Sequence, residues 1–335
     1  MLTRLLTTSA AVLILPLTAL CGETAKADAA ILRERAKAIF GVLPDKMPGA
    51  EKDTPELVAL GRELFFDKRL SANDSQSCNS CHMVDNHRGG VDNEPTSPGA
   101  FGKRGGRNSP TVLNAGFQMA QFWDGRAADL AAQAKGPVLN PIEMGMSDDK
   151  AVIEKLAKVP AYVQAFQAVF GGAEPLNYDN LAQAIAAFER TLVTQDRFDD
   201  FQKGDEKALT PQELKGLETF VSVGCVACHN GALLGGNAYH KVGLVNAFNG
   251  KDLGRFDVTK SETDKFFFKV PMLRNIEITG PYFHDGRATA LEEAVREMAW
   301  LQLGKKLSDD EVQSLVAFLK TLTDKPRVPK STAQN

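Results

Sequence analysis

Apolar residues recur at three- and four-residue spacing in six stretches of the chain, 56–66, 152–159, 181–192, 212–220, 291–301 and 312–322. That spacing gathers them on one face of an α-helix, so each stretch predicts an amphipathic helix. The stretches at 56 and 212 both follow a Thr-Pro pair, Thr54-Pro55 and Thr210-Pro211. In each pair a capping hydroxyl precedes the residue whose fixed φ suits the first helical position. Alternating apolar and polar residues, the mark of a half-buried strand, are scarce, and the connecting segments are rich in Gly and Pro. The pattern predicts a mainly α fold.

The N-terminal apolar run reads differently. Arg4, the run 5–20 and the small-x-small group Ala25-Lys26-Ala27 predict a signal peptide over 1–27, cleaved after Ala27, and so export to the periplasm. A membrane anchor is the alternative, but Thr residues and Pro16 interrupt a run that is short for a span. Cys21 suggests a lipoprotein, yet Leu20 is not the small residue that such processing prefers. No membrane span is expected after processing. Composition adds exclusions: 43% hydrophobic and 24% charged residues over 335 positions make an ordinary globular chain with material for two cores. A net charge of −3, falling to −4 when Arg4, Glu23 and Lys26 leave with the leader, argues against nucleic-acid binding.

Four cysteines remain after processing. An exported chain with four cysteines allows three disulfide pairings. Their spacing argues otherwise, because Cys78-Asn79-Ser80-Cys81-His82 and Cys225-Val226-Ala227-Cys228-His229 are both C-x-x-C-H. In that pattern two thiols form thioethers to a porphyrin and the adjacent His is placed to ligate iron. Two copies with no cysteine to spare predict two covalently attached hemes c. The surroundings repeat as well: Arg107-Asn108-Ser109-Pro110-Thr111-Val112-Leu113-Asn114 leads to Phe122-Trp123-Asp124-Gly125-Arg126-Ala127, and Val270-Pro271-Met272-Leu273-Arg274-Asn275 leads to Phe283-His284-Asp285-Gly286-Arg287-Ala288. The sequence therefore divides into two cytochrome c-like domains, 28–195 and 196–325, with a tail at 326–335.

These motifs, with Gln133-Ala134-Lys135-Gly136-Pro137-Val138 and Pro281-Tyr282-Phe283-His284-Asp285-Gly286, resemble the bacterial diheme cytochrome c peroxidases through nearly the whole mature chain. The resemblance implies reduction of hydrogen peroxide with electrons from a small soluble cytochrome c or cupredoxin, and a homodimer. It makes the heme on Cys78, Cys81 and His82 the low-potential peroxidatic centre. The heme on Cys225, Cys228 and His229 becomes the high-potential electron-entry centre, with Met298 as its second iron ligand. Glu143 and Gln133 match the distal pocket residues, where a positioned acid–base group moves a proton between the peroxide oxygens. Trp123 matches a tryptophan between the hemes, and Asn108, Thr279 and Pro281 match ligands of an interdomain calcium.

One position departs from that pattern. Many members carry an iron-ligating histidine in the loop before Arg107, where this chain has Ala100. Either the first heme is open at rest or another group such as His87 fills in. The departure keeps open a diheme oxidase acting on a partner protein, against which Met298 argues, and a diheme electron carrier or sensor, against which Glu143 and Gln133 argue. His284 takes the place of Trp123 in the second half and is expected near the second heme, while His240 is expected in a loop.

Overall fold

Thr54 and Thr210 start helices as their chemistry requires. In the computed structural model, which describes residues 17–85 and 88–329, the Thr54 side chain accepts from Leu57 N at 3.2 Å and Thr210 forms a reciprocal capping box with Glu213. Most of the expected leader, the tail beyond residue 329 and His87 lie outside the described residues.

Helix α1 (Leu17–Phe40) is followed by α2 (Pro55–Phe66), a single turn α3 (Cys78–Cys81), α4 (Leu130–Leu139), α5 (Asp149–Ala157), α6 (Pro160–Phe170) and α7 (Tyr178–Glu189). Then come α8 (Arg197–Gln202), α9 (Pro211–Val223), α10 (Phe256–Thr259), α11 (Leu291–Leu303) and α12 (Asp309–Lys320). Among the described residues the only strands are β1 (Tyr239–Lys241) and β2 (Phe267–Lys269), antiparallel with Tyr239 opposite Lys269. The fold is mainly helical, as the periodicity predicts. His240, expected in a loop, lies on β1.

Two cores organise the chain. The first joins buried residues of α2, α4, α5, α6 and α7, among them Leu64, Phe65, Leu156, Phe166 and Ile185. The second joins α9, α11 and α12 with Phe198 and Phe201 of α8. Its contributors differ from the division read in the sequence, because Ala36 and Phe40 of α1, at 1% and 2% exposure, pack in the second core. Phe40 sets its ring edge against Phe198 at 5.6 Å, so a segment placed in the first domain by chain order serves the other core.

In each core two helices cross at a glycine. A side chain at Gly61 on α2 would strike the Ala184 carbonyl of α7, and one at Gly216 on α9 would strike the Ser314 carbonyl of α12. The halves also end alike: Asn114 N takes the Leu192 carbonyl and Asn275 N takes that of Leu322, both at 2.9 Å. That bond draws residues 190–192 out of the helix expected over 181–192. Asn114 and Asn275 both adopt the left-handed conformation, as do Phe122 and Phe283, the latter pair inside the matching bridges Gln121–Ala127 and Tyr282–Ala288. Beside Asn275, Arg274 is fully buried between Asp196 at 2.5 Å and Asp199 at 2.9 Å. Loss of that guanidinium would leave two buried carboxylates uncompensated, at a cost of about 3–5 kcal/mol.

Candidate functional site

The first C-x-x-C-H forms the short turn α3, which places Cys78, Cys81 and His82 on the wall of a cavity of about 480 Å³. Burial pushes the Cys78 thiol far up, and raises Cys81 to about 11, so both stay neutral. All four described cysteines are free. Burial lowers the His82 pKa despite the opposing pull of Asp92. A neutral imidazole is the form that binds a metal.

The second motif repeats the arrangement around a cavity of about 260 Å³ lined by Cys225, Cys228 and His229. His229 Nδ1 lies 3.0 Å from the Leu234 carbonyl, which fixes this nitrogen as the protonated one and leaves Nε2 for a metal. Burial lowers this imidazole's pKa as well. Met298 on α11 lines the same cavity, as do His284 and His240. Each cavity thus offers a thiol pair and a buried neutral imidazole, a donor set that fits heme c, with Met298 on α11 lining the second and Met144, from the turn after α4, lining the first.

The first cavity has no such thioether at the corresponding place. Helices α4 and α11 begin at Leu130 and Leu291, and the same offset carries Met298 onto Pro137, which lines the first cavity. Proline offers no metal donor. Facing that space are Gln133 of α4 and Glu143, which follows the helix in a turn closed by Glu143 N donating to the Asn140 carbonyl at 3.0 Å. Asn140 Nδ2 donates to Glu143 Oε1 at 2.8 Å. Burial raises the Glu143 pKa, with Arg126 and Asn140 opposing. The loop carrying Ala100 is tied to this turn, Ala100 N donating to the Glu143 carbonyl at 2.7 Å. Ser97, Pro98 and Gly99 line the cavity, whereas Ala100 does not.

Between the cavities stands Trp123, which lines both. Its Nε1 donates to the Asn108 carbonyl at 2.8 Å and its own carbonyl accepts from Lys269 N at 2.7 Å. Asn108 N in turn donates to the His284 carbonyl at 2.7 Å, and the His284 ring stacks on Phe268 at 4.2 Å. Asn108, Thr279 and Pro281 all line the second cavity. Asn108 commits Nδ2 to the carbonyls of Glu94 and Pro95, which leaves Oδ1 for a cation. The described residues hold no cluster of three or more His, Cys, Asp or Glu side chains, so a cation here would be bound by amide, hydroxyl and backbone oxygens, a hard set suited to calcium.

Three residues that the sequence reading did not single out belong to these walls. Pro137 was legible only through the repeat offset. Glu189, at 4% exposure and four residues after Ile185 on α7, lines the first cavity with its Oε2 unpartnered, and burial pushes it up to about 8. Lys269 lines both cavities. Glu189 and Lys269 are charges at the ends of apolar runs, a signal too common to single out either.

Residues 55–207 match the model of the family described as di-haem cytochrome c peroxidase. The chain is 48% identical over 314 residues to the cytochrome c551 peroxidase of Pseudomonas aeruginosa, covering 91% of this chain and 89% of the relative. It is 49% identical to the cytochrome c551 peroxidase of Nitrosomonas europaea, covering 82% and 83%. Among solved structures it resembles a MauG-like protein associated with microbial copper homeostasis, with a TM-score of 0.76 and 28% identity over 86% of this chain and 95% of that one.

Proposed function

The chain belongs to the di-haem cytochrome c peroxidase family, and on that premise we propose that it reduces hydrogen peroxide to water in the periplasm, with electrons from a small soluble cytochrome c or cupredoxin. It is a cytochrome c peroxidase, an oxidoreductase. Each turnover consumes one peroxide, two electrons and two protons and yields two waters. The observation that carries the assignment of roles is the asymmetry between the cavities: Gln133, Pro137 and Glu143 face the first, and Met298 faces the second.

Bound heme supplies iron that exchanges single electrons. The chain supplies the rest. Cys78 and Cys81, and Cys225 and Cys228, would hold the two hemes covalently, and His82 and His229 would ligate their irons. Met298 would offer the second heme a thioether, the ligand type that favours ferrous iron and so suits the electron-entry centre. Pro137, at the place of Met298 in the repeat, has no side-chain donor to offer the first heme. In the first cavity Glu143 would take a proton from one peroxide oxygen and return it to the other, and Gln133 would orient the substrate by hydrogen bonding. Trp123 provides the aromatic bridge for electrons between the cavities. Asn108, Thr279 and Pro281 hold a calcium where the two halves meet, with waters completing its shell. We read residues 1–27 as the export signal, 28–195 and 196–325 as the two heme domains, with Ala36 and Phe40 of the first crossing into the core of the second, and a homodimer as the assembly. Among the described residues no helix is long and apolar enough to cross a membrane.

Ala100 favours one further reading, oxidation of a partner protein by a first heme that is open at rest, and Met298 argues against it. Steady-state peroxide consumption with a reduced small cytochrome c or copper protein decides between them. Two donor molecules oxidised per peroxide support the peroxidase; a two-heme protein that consumes no peroxide with either donor overturns it.

A further inference from the structure

Lys269 is a buried cation with no ion-pair partner among the described residues. It ends β2 at 4% exposure, and its Nζ donates to Gln118 Oε1, a neutral acceptor. Asp124, the carboxylate that acts on it from a distance, is committed to Arg107 at 2.6 Å and Arg126 at 3.0 Å. Burial alone pulls the ammonium down to about 7. An uncompensated buried charge is costly, and a neighbour of opposite sign relieves that cost. Lys269 and Gln118 both lie on the wall shared by the two cavities, beside Trp123, whose carbonyl accepts the Lys269 backbone N–H. Heme carries two carboxylates on its propionate arms, so a group that fills either cavity brings the missing anion with it.

We propose that Lys269, steadied by Gln118, is the counter-ion of a heme propionate at the wall between the two cavities, and that its charge raises that heme's reduction potential. The inference rests on the two-heme assignment. A positive charge near the porphyrin favours the reduced iron, which carries one positive charge fewer than the oxidised form. Burial makes the effect larger than it would be on the surface. Lys269 is thus a positioning and tuning residue on the electron path. It touches neither peroxide nor iron.

The test is a spectroscopic redox titration of the purified two-heme protein and its Lys269→Met and Lys269→Arg variants, with heme counted by mass spectrometry in the same preparations. Lys269→Met should retain both hemes and lower the midpoint potential of one of them, and Lys269→Arg should keep that potential near wild type. A fall at the higher-potential centre assigns the propionate to the second heme, and a fall at the lower one to the first. Should Lys269→Met fail to accumulate, Lys269→Gln carries the same expectation. Two hemes with both potentials unchanged in the neutral variant overturn the proposal, whereas fewer than two hemes in the unaltered protein overturn the assignment beneath it.

Discussion

Trp123 and His284 hold equivalent points in the two halves, and their rings meet nearly edge to face, with centroids 6.2 Å apart and planes inclined by 69°. Both are tied to the backbone of Asn108, Trp123 through its indole N–H and His284 through its carbonyl. The pair is therefore fixed by one residue, and a change at Trp123 acts on a junction already held from two sides.

Trp123→Phe keeps an aromatic ring and removes the donor to the Asn108 carbonyl, at a cost of about 1 kcal/mol in stability. Electron transfer between the hemes should slow markedly while peroxide still binds the first. Stopped-flow mixing of half-reduced enzyme with peroxide measures both steps; an unchanged internal rate would reduce Trp123 to packing.

Glu143→Gln should leave both heme spectra intact and cut turnover by about 10²–10⁴-fold, the usual contribution of a positioned acid–base group. Burial raises the Glu143 pKa, so the proton-accepting carboxylate grows in at a higher pH than an ordinary glutamate near about 4.3. The acidic limb of kcat/KM should be displaced upward accordingly and vanish in the variant. Turnover within a few-fold of wild type places the proton shuttle elsewhere.

Met298→His exchanges a thioether for an imidazole on the wall of the second cavity. The potential of the second heme should fall, because imidazole favours ferrous iron less than thioether does. Potentiometric titration reads this directly, and an unshifted potential would make Met298 a packing residue only.

Ala100 has no iron ligand to offer, and its backbone is pinned, its N–H donating to the Glu143 carbonyl and its carbonyl accepting from Asn73 Nδ2. The first heme should accordingly be high-spin in the fully oxidised protein and react with peroxide before any reduction. Electron paramagnetic resonance of the diferric state checks this; a purely low-spin signal from that heme would point to a histidine ligand such as His87.

Glu189 lies buried with an unpartnered oxygen, and its pKa is pushed up to about 8. The folded state thus holds this proton more tightly than the unfolded chain, whose glutamates titrate near about 4.3. Its contribution to stability is fully present below that value and declines as the pH rises toward 8. Glu189→Gln should therefore raise the melting temperature more at pH 8 than at pH 5, and an equal change at both would mean that Glu189 is ionised in the folded protein.

Local chemistry made much of this molecule legible in advance. Thr54 and Thr210 announce their helices, and each C-x-x-C-H announces a cavity wall, because cap and motif act over a few residues. Helix α6 escaped notice although Pro160 stands at its first position, since its apolar residues extend nearly around the helix and show no clean stripe. Lys269 and Glu189 escaped for another reason: what sets them apart is burial by segments far away in the chain, and neither residue's neighbours in sequence record it. Phe40 is likewise an apolar residue of no distinction until Phe198, from the other half, lies against it.

The crossings at Gly61 and Gly216 bear on the order in which the protein matures. Each joins the start of its half to the end of the same half, a contact across a long span of chain and so among the slow ones to form. Cys78 and Cys225 lie inside those spans, each soon after the opening helix, and until the closing helix arrives their thiols stand open to solvent. On the two-heme reading, covalent attachment would belong before those crossings form, while the thiols could still be reached.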